Sequence, residues 1–132
     1  MPKDAPTVLV ADDEPHILRL ARFRLEREGY NVLTAGDGET ALELARAEHP
    51  DVCVLDVMMP GRSGFDVLHE LRADERCRDI KVIMLTPHGR GRDVEAGRAL
   101  GADDYIRKPF TAQELRARVG AHLGSSTRSR PS

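Results

Sequence analysis

The chain holds 132 residues, with 20 Lys and Arg against 22 Asp and Glu, 40% hydrophobic residues, 4% aromatics, no Trp and two Cys, which suits one domain that buries about two thirds of its unfolded surface without disulfide or structural metal. Cys53 and Cys77 lack a Cys-x-x-Cys or metal-like spacing, which favours a reducing compartment and a cytoplasmic location. No apolar run approaches the ~20 residues of a membrane span, Met1-Pro2-Lys3-Asp4 has no secretory stretch, and a formal charge of -2 with both signs interspersed argues against direct nucleic-acid binding by this chain.

Residues 1–6 are expected to be a disordered N-terminus, after which short β-branched or aliphatic runs alternate with segments of helical period. Thr7–Ala11 reads as the first strand. Ile17, Leu18, Ala21 and Leu25 then form one apolar stripe, with Pro15 at the first turn and Gly29 at the stop. Asn31–Ala35 is the second strand, and the Gly36-Asp37-Gly38 turn leads into a second helix carrying Ala41, Leu42, Leu44 and Ala45. Val52–Asp56 is the third strand, followed by Pro60-Gly61-Arg62-Ser63-Gly64 and a third helix with Phe65, Val67, Leu68 and Leu71.

Lys81–Thr86 is the fourth strand. The fourth helix, near residues 92–100, has only Val94, Gly97 and Leu100 for a stripe, and Gly97 costs roughly 1 kcal/mol relative to Ala, so mobility is expected there. A brief fifth strand at 104–106 precedes the capping box Thr111-x-x-Glu114 of a fifth helix, in which Leu115, Val119 and Leu123 recur four apart. Residues 124–132 lack periodicity and read as a disordered tail or linker stub, which leaves 7–123 as the domain.

Val8-Leu9-Val10-Ala11, Val52-Cys53-Val54-Leu55 and Val82-Ile83-Met84-Leu85 are continuously apolar, as befits parallel strands covered on both faces. The alternation predicts a doubly wound α/β sandwich with its ligand site at the carboxyl ends of the strands. Asp12 and Asp13 end the first strand, Asp56 the third and Thr86 the fourth, while Lys108 follows the fifth. Each alone has an ordinary reading as a helix cap, a strand end or a solvated cation. Together they bring three mutually repelling carboxylates to one edge, a conflict that a hard, oxygen-seeking cation such as Mg²⁺ resolves.

From Thr7 to Leu123 the sequence resembles the receiver domains of two-component response regulators. The likeness rests on Val8-Leu-Val-Ala-Asp-Asp-Glu, Val54-Leu-Asp-Val-Met-Met-Pro-Gly-Arg-Ser-Gly, Val82-Ile-Met-Leu-Thr and Gly101-Ala-Asp-Asp-Tyr-Ile-Arg-Lys-Pro-Phe. The resemblance implies a flavodoxin-like (βα)5 fold with strand order 2-1-3-4-5. It also implies Asp56 as phosphoacceptor, Asp12, Asp13, Asp56 and the Met58 carbonyl as Mg²⁺ ligands, Lys108 on the phosphoryl group, Thr86 with Tyr105 as the switch, and a cis Lys108-Pro109 bond. The chemistry agrees: a carboxylate attacks phosphorus when a metal and a fixed cation neutralise the equatorial oxygens, and the Thr86 hydroxyl has a hydrogen bond to donate to a phosphoryl oxygen.

One departure stands beside the switch threonine, where such domains usually carry a small residue whose N–H binds the phosphoryl group. Pro87 has no N–H to give. Met58 and His88 hold positions that, by the resemblance, modulate hydrolysis of the acyl phosphate. His16, His49, His69 and His122 read as surface residues, and the stretch Gly89-Arg90-Gly91-Arg92 matches no nucleotide-binding loop. Arg128 and Arg130 read as a solvated end.

The leading reading is a phosphorylation-dependent signalling module, not an enzyme with turnover, that accepts its phosphoryl group from a histidine kinase or phosphotransfer protein. It would then switch a face used by a downstream output protein or a linked output domain. The alternative is a phosphate-independent receiver acting as a constitutive interaction module, marked by Pro87. A hydrolase of the phosphatase kind lacks its second acid, since Asp56 begins Asp56-Val57-Met58-Met59. A homodimer through the fourth helix, fifth strand and fifth helix is a further expectation. Val94 and Leu100 weaken it by standing where such dimers often carry charges, while Asp104 and Arg118 keep one ion pair.

Overall fold

The computed structural model describes residues 5–87, 95 and 98–128. Its strands are β1 (Thr7–Ala11), β2 (Asn31–Ala35), β3 (Val52–Asp56), β4 (Lys81–Thr86) and β5 (Asp104–Arg107). They form one all-parallel sheet in the order β2-β1-β3-β4-β5. The expected boundaries hold for four strands, and β5 runs one residue further, to Arg107.

Successive side chains along a strand point to opposite faces, and the three central strands use both. Leu9, Cys53, Leu55, Val82 and Met84 pack with Leu42, Leu68 and Leu71 on one side. Val8, Val10, Val54, Ile83 and Leu85 pack with Ala21, Leu25, Leu115 and Val119 on the other. Burying each such aliphatic side chain contributes about 1.5–3 kcal/mol, and the two-sided burial explains why these strands show no polar alternation.

The helices are α1 (Pro15–Glu26), α2 (Gly38–Glu48), α3 (Gly64–Ala73) and α5 (Ala112–Arg128). Of α4, expected near residues 92–100, residues 95 and 98–100 are helical, and residues 88–94 and 96–97 lie outside the described residues, His88, Val94 and Gly97 among them. Pro15 opens α1, and Gly29 at φ 91 follows its end in a conformation that favours glycine. Asp37 caps α2 by accepting the Thr40 N–H at 2.7 Å. Ser63 and Asp66 form a capping box on α3, and Thr111 and Glu114 form the expected one on α5, at 3.0 and 3.3 Å.

Ordered backbone extends past two of the expected boundaries. Ala5 and Pro6 are tied down: the Pro6 carbonyl accepts the Asn31 N–H at 2.8 Å, and the Ala5 carbonyl accepts the Asn31 side chain at 3.4 Å. The helix α5 continues to Arg128, so residues 124–128 are helical instead of an irregular tail. Once a helix is nucleated, each further residue adds a backbone hydrogen bond at little cost, even past the end of its apolar stripe. Residues 1–4 and 129–132 lie outside the described residues. Among the described residues no helix is long and apolar enough to cross a membrane.

One side chain ties several of these segments together. Arg72 of α3 donates to the Gly101 carbonyl at 2.8 and 3.0 Å, to the Arg78 and Ile80 carbonyls at 3.0 and 2.8 Å, and to the Asp103 carboxylate at 2.9 Å. Asp103 in turn accepts the Val82 N–H at 2.8 Å. The planar guanidinium fork thus holds α3, the entry to β4 and the entry to β5 in one cluster.

Candidate acidic site at the carboxyl ends of the strands

Parallel strands end on the same side of the sheet, so residues distant in sequence meet there. Asp12 follows β1 and its N–H donates to the Ala35 carbonyl at 3.0 Å. Asp56 is the last residue of β3 and Thr86 the last of β4. Beyond β5, the Lys108 N–H donates to the Thr86 carbonyl at 2.8 Å, and the Lys108–Pro109 bond is cis.

Asp12 is 0% exposed and Asp56 2%, whereas Asp13 is open to solvent. One carboxylate oxygen from each of the three lies within 4.8 Å of the others. The Lys108 ammonium stands 2.9 Å from Asp12 Oδ2 and 3.3 Å from Asp56 Oδ2. Backbone donors hold the carboxylates: the Glu14 N–H donates to Asp12 Oδ1 at 2.9 Å, and the Met58 N–H to Asp56 Oδ1 at 3.3 Å.

Burial, and then the neighbouring Asp12 carboxylate, push Asp56 up to about 6, with Lys108 opposing both. Burial works against the Lys108 charge, but Asp12 and Asp56 together hold its ammonium above the ordinary lysine value. The site therefore carries more negative charge than one lysine neutralises. Among the described residues Asp12 Oδ2 is buried without an aligned hydrogen bond, meeting the ammonium only as an ion pair. Three carboxylates with one such under-satisfied oxygen are a donor set suited to a hard divalent cation.

A cavity of about 280 Å³ beside this cluster is lined by Asp13, Glu14, Asp56, Met58, Pro87 and Lys108. Met58 extends from it with 67% of its surface exposed. Thr86 is fully buried, and Tyr105 is half-buried against the core on the α3 side of the sheet. Asp12, Asp13, Asp56, Met58, Pro87 and Lys108 are thus brought together, with Thr86 at the end of the neighbouring strand.

Sequence reasoning assigned no role to Glu14, which lines the cavity. It also missed that His122, half-buried in place of the surface position expected, lies 3.0 Å from Asp104. Asp104 and Arg118 pair within the chain at 2.9 Å. Their spacing in sequence across β5 and α5 was the available signal for this cluster.

Comparison with known proteins agrees with this geometry. The model of the response regulator receiver domain matches residues 8–120. The alkaline phosphatase synthesis transcriptional regulatory protein PhoP of Bacillus subtilis is 46% identical over 125 residues, 95% of this chain and 51% of that protein. The chemotaxis protein CheY4 of Vibrio cholerae superposes with a TM-score of 0.84 at 31% identity, over 89% of this chain and 98% of that one. DrrB of Thermotoga maritima, described as an OmpR/PhoB homolog, superposes with a TM-score of 0.82 at 33% identity, over 92% of this chain and 54% of that one. The chain spans about half the length of the curated relatives it matches. With a five-stranded 2-1-3-4-5 parallel sheet and an acidic cluster at its carboxyl edge, the chain belongs to the response regulator receiver domains of two-component signalling.

Proposed function

We infer that this receiver, cytoplasmic and spanning residues 7–123, takes a phosphoryl group onto Asp56 from the phosphohistidine of a histidine kinase or phosphotransfer protein. The observation that carries the reading is the Lys108 ammonium bridging Asp12 and Asp56 at 2.9 and 3.3 Å beneath an open cavity. An Asp56 oxygen attacks phosphorus, the P–N bond to the donor imidazole breaks, and the imidazole leaves with that electron pair and takes up a proton. Lys108 neutralises charge on the equatorial oxygens. Asp12, Asp13, Asp56 and the Met58 carbonyl would hold Mg²⁺, which supplies the second positive charge when bound. The attacking carboxylate must be ionised, so the about-6 value of Asp56 makes the metal-free site a poor nucleophile below that pH.

The phosphoryl group then offers the Thr86 hydroxyl an acceptor, and movement of Thr86 frees space for Tyr105, which alters the face formed by α4, β5 and α5. PhoP is named as a transcriptional regulatory protein and is about twice the length of this chain. An output domain or separate protein reading that face, and a homodimer formed through it, are the corresponding partners here. The phosphate-independent alternative is disfavoured by the intact set Asp12, Asp13, Asp56, Thr86 and Lys108.

Intact-mass measurement after incubation with acetyl phosphate and Mg²⁺ tests the reading. A single phosphoryl adduct is expected, lost in Asp56→Asn and with a chelator. No adduct on the folded parent, even with rapid quenching, would overturn the reading and put the phosphate-independent interaction module in first place.

Pro87 lines the cavity but withholds the N–H that would meet a phosphoryl oxygen. Pro87→Ala restores that donor, and a charge-assisted hydrogen bond of about 1.5 kcal/mol corresponds to roughly tenfold in stability of the phosphorylated state. Phosphate release followed over time is expected to slow in the variant; an unchanged lifetime and an unchanged conformational response would mean the missing donor has no effect.

A further inference from the structure

The loop between β3 and α3 carries the Met58 carbonyl, and its fixed points define where that carbonyl sits. On the sheet side, the Val57 N–H donates to the Leu85 carbonyl and the Gly64 N–H to the Val57 carbonyl, both at 3.0 Å. Val57 and Met59 are 7% and 8% exposed and belong to the core, while Met58 between them turns outward. The loop closes at Ser63, whose capping box starts α3.

The remaining fixed point comes from a different part of the chain. A Cβ on Gly38, the first residue of α2, would lie 2.1 Å from the Arg62 carbonyl oxygen and 2.8 Å from its carbonyl carbon. Backbone meets backbone there, and only glycine permits the approach. The next residue, Glu39, accepts from Arg62 Nε at 2.8 Å, and Glu70 of α3 stands 3.7 Å from the same guanidinium. The start of α2 therefore grips the loop by a steric contact and by an ion pair, without lining the acidic cavity.

We propose that Gly38 and Glu39, through Arg62, are positioning residues for divalent-cation binding, holding in place the β3–α3 loop that carries the Met58 carbonyl. The inference rests on the metal site of the preceding reading. Groups that orient a ligand govern affinity without touching the ion, since displacement of one donor leaves the others to bind an incompletely desolvated cation. The Gly38 contact acts by sterics, so its loss moves the loop, whereas the Glu39–Arg62 pair restrains the loop's outward swing.

Mn²⁺ titration of the full chain, read as free Mn²⁺ by electron paramagnetic resonance well below the unfolding temperature, tests this without phosphorylation. Gly38→Ala is expected to weaken Mn²⁺ binding about tenfold. Glu39→Arg sets two cations against each other and is expected to weaken it about threefold, with the exchanged pair Glu39→Arg/Arg62→Glu recovering part of that loss, since the new carboxylate regains a cation partner but also meets Glu70. Glu43→Arg, an equal charge change at an exposed position of α2, should leave affinity near the parent in moderate salt. Asp13→Asn checks the underlying site. Weakening by Asp13→Asn with parent-like affinity in Gly38→Ala overturns the positioning role while the metal site stands. Should Gly38→Ala fail to fold, the Glu39 variants decide: weakening by Glu43→Arg equal to that by Glu39→Arg, or no recovery in the exchanged pair, overturns the proposal. A parent that binds no Mn²⁺ overturns the metal site and this inference with it.

Discussion

Lys108→Met is expected to lower the stability of the metal-free protein by about 2–3 kcal/mol at pH 7.5, on the order of 10 °C in Tm. The substitution keeps the apolar stem but leaves Asp12 and Asp56, 0% and 2% exposed, facing each other without their shared cation. Because Lys108, ahead of the Met58 N–H, holds Asp56 down against burial and Asp12, its loss moves Asp56 above the parent's value of about 6. A carboxyl whose folded pKa lies above its unfolded value favours the folded state while protonated, and that advantage fades as pH rises through the folded pKa. The deficit of the variant that comes from Asp56 is therefore smallest below the parent's value of about 6, where both folded forms hold the proton, and grows as pH rises above it. Thermal unfolding across that range checks the sign, and Mg²⁺ should raise the Tm of the variant more than that of the parent, since the ion meets one fewer competing cation. A pH-independent deficit would mean that the Lys108 ammonium does not act through the ionisation of Asp56.

Arg72→Ala is expected to cost about 3 kcal/mol. Its guanidinium satisfies the Gly101, Arg78 and Ile80 carbonyls and pairs with Asp103 at 2.9 Å. Removal strips these acceptors of their donor and leaves Asp103, which orients the β4 entry through the Val82 N–H, without its countercharge. The cluster is partly open, with Arg72 21% exposed and Asp103 29%, so water replaces some of what is lost. Urea unfolding should show a lower midpoint with an unchanged slope, and Arg72→Lys should recover less than half of the loss because an ammonium cannot span the same fork of acceptors.

These two residues mark the difference between what was legible in the sequence and what was not. The strands were legible because Val8–Ala11, Val52–Leu55 and Val82–Leu85 are unbroken apolar runs bounded by turn residues, a pattern that only two-sided burial produces. The acidic set was legible because Asp12, Asp13, Asp56, Thr86 and Lys108 end or follow strands, and parallel topology carries strand ends to one edge. Arg72 was not, since a long polar side chain reaching Gly101 and Asp103 leaves no periodic trace and reads as the solvent side of α3. Cys77 likewise sits among charged residues in sequence, yet it is fully buried at the foot of α3. The continuation of α5 to Arg128 was invisible for the opposite reason, because backbone propagation needs no apolar marker.

The two thiols place natural chemical probes at different depths of this fold. Cys53 lies in the central strand β3, fully buried, and burial, with a smaller push from Cys77, raises its thiol to about 12. Cys77 is equally hidden but belongs to the short turn closing α3, between Asp74 and Ile80. Alkylation requires a thiolate in contact with solvent, so Cys77 becomes reactive when that turn alone opens, whereas Cys53 waits for the sheet to part. The ratio of the two labelling rates is therefore a measure of how far local opening runs ahead of global unfolding, available from the unmodified protein.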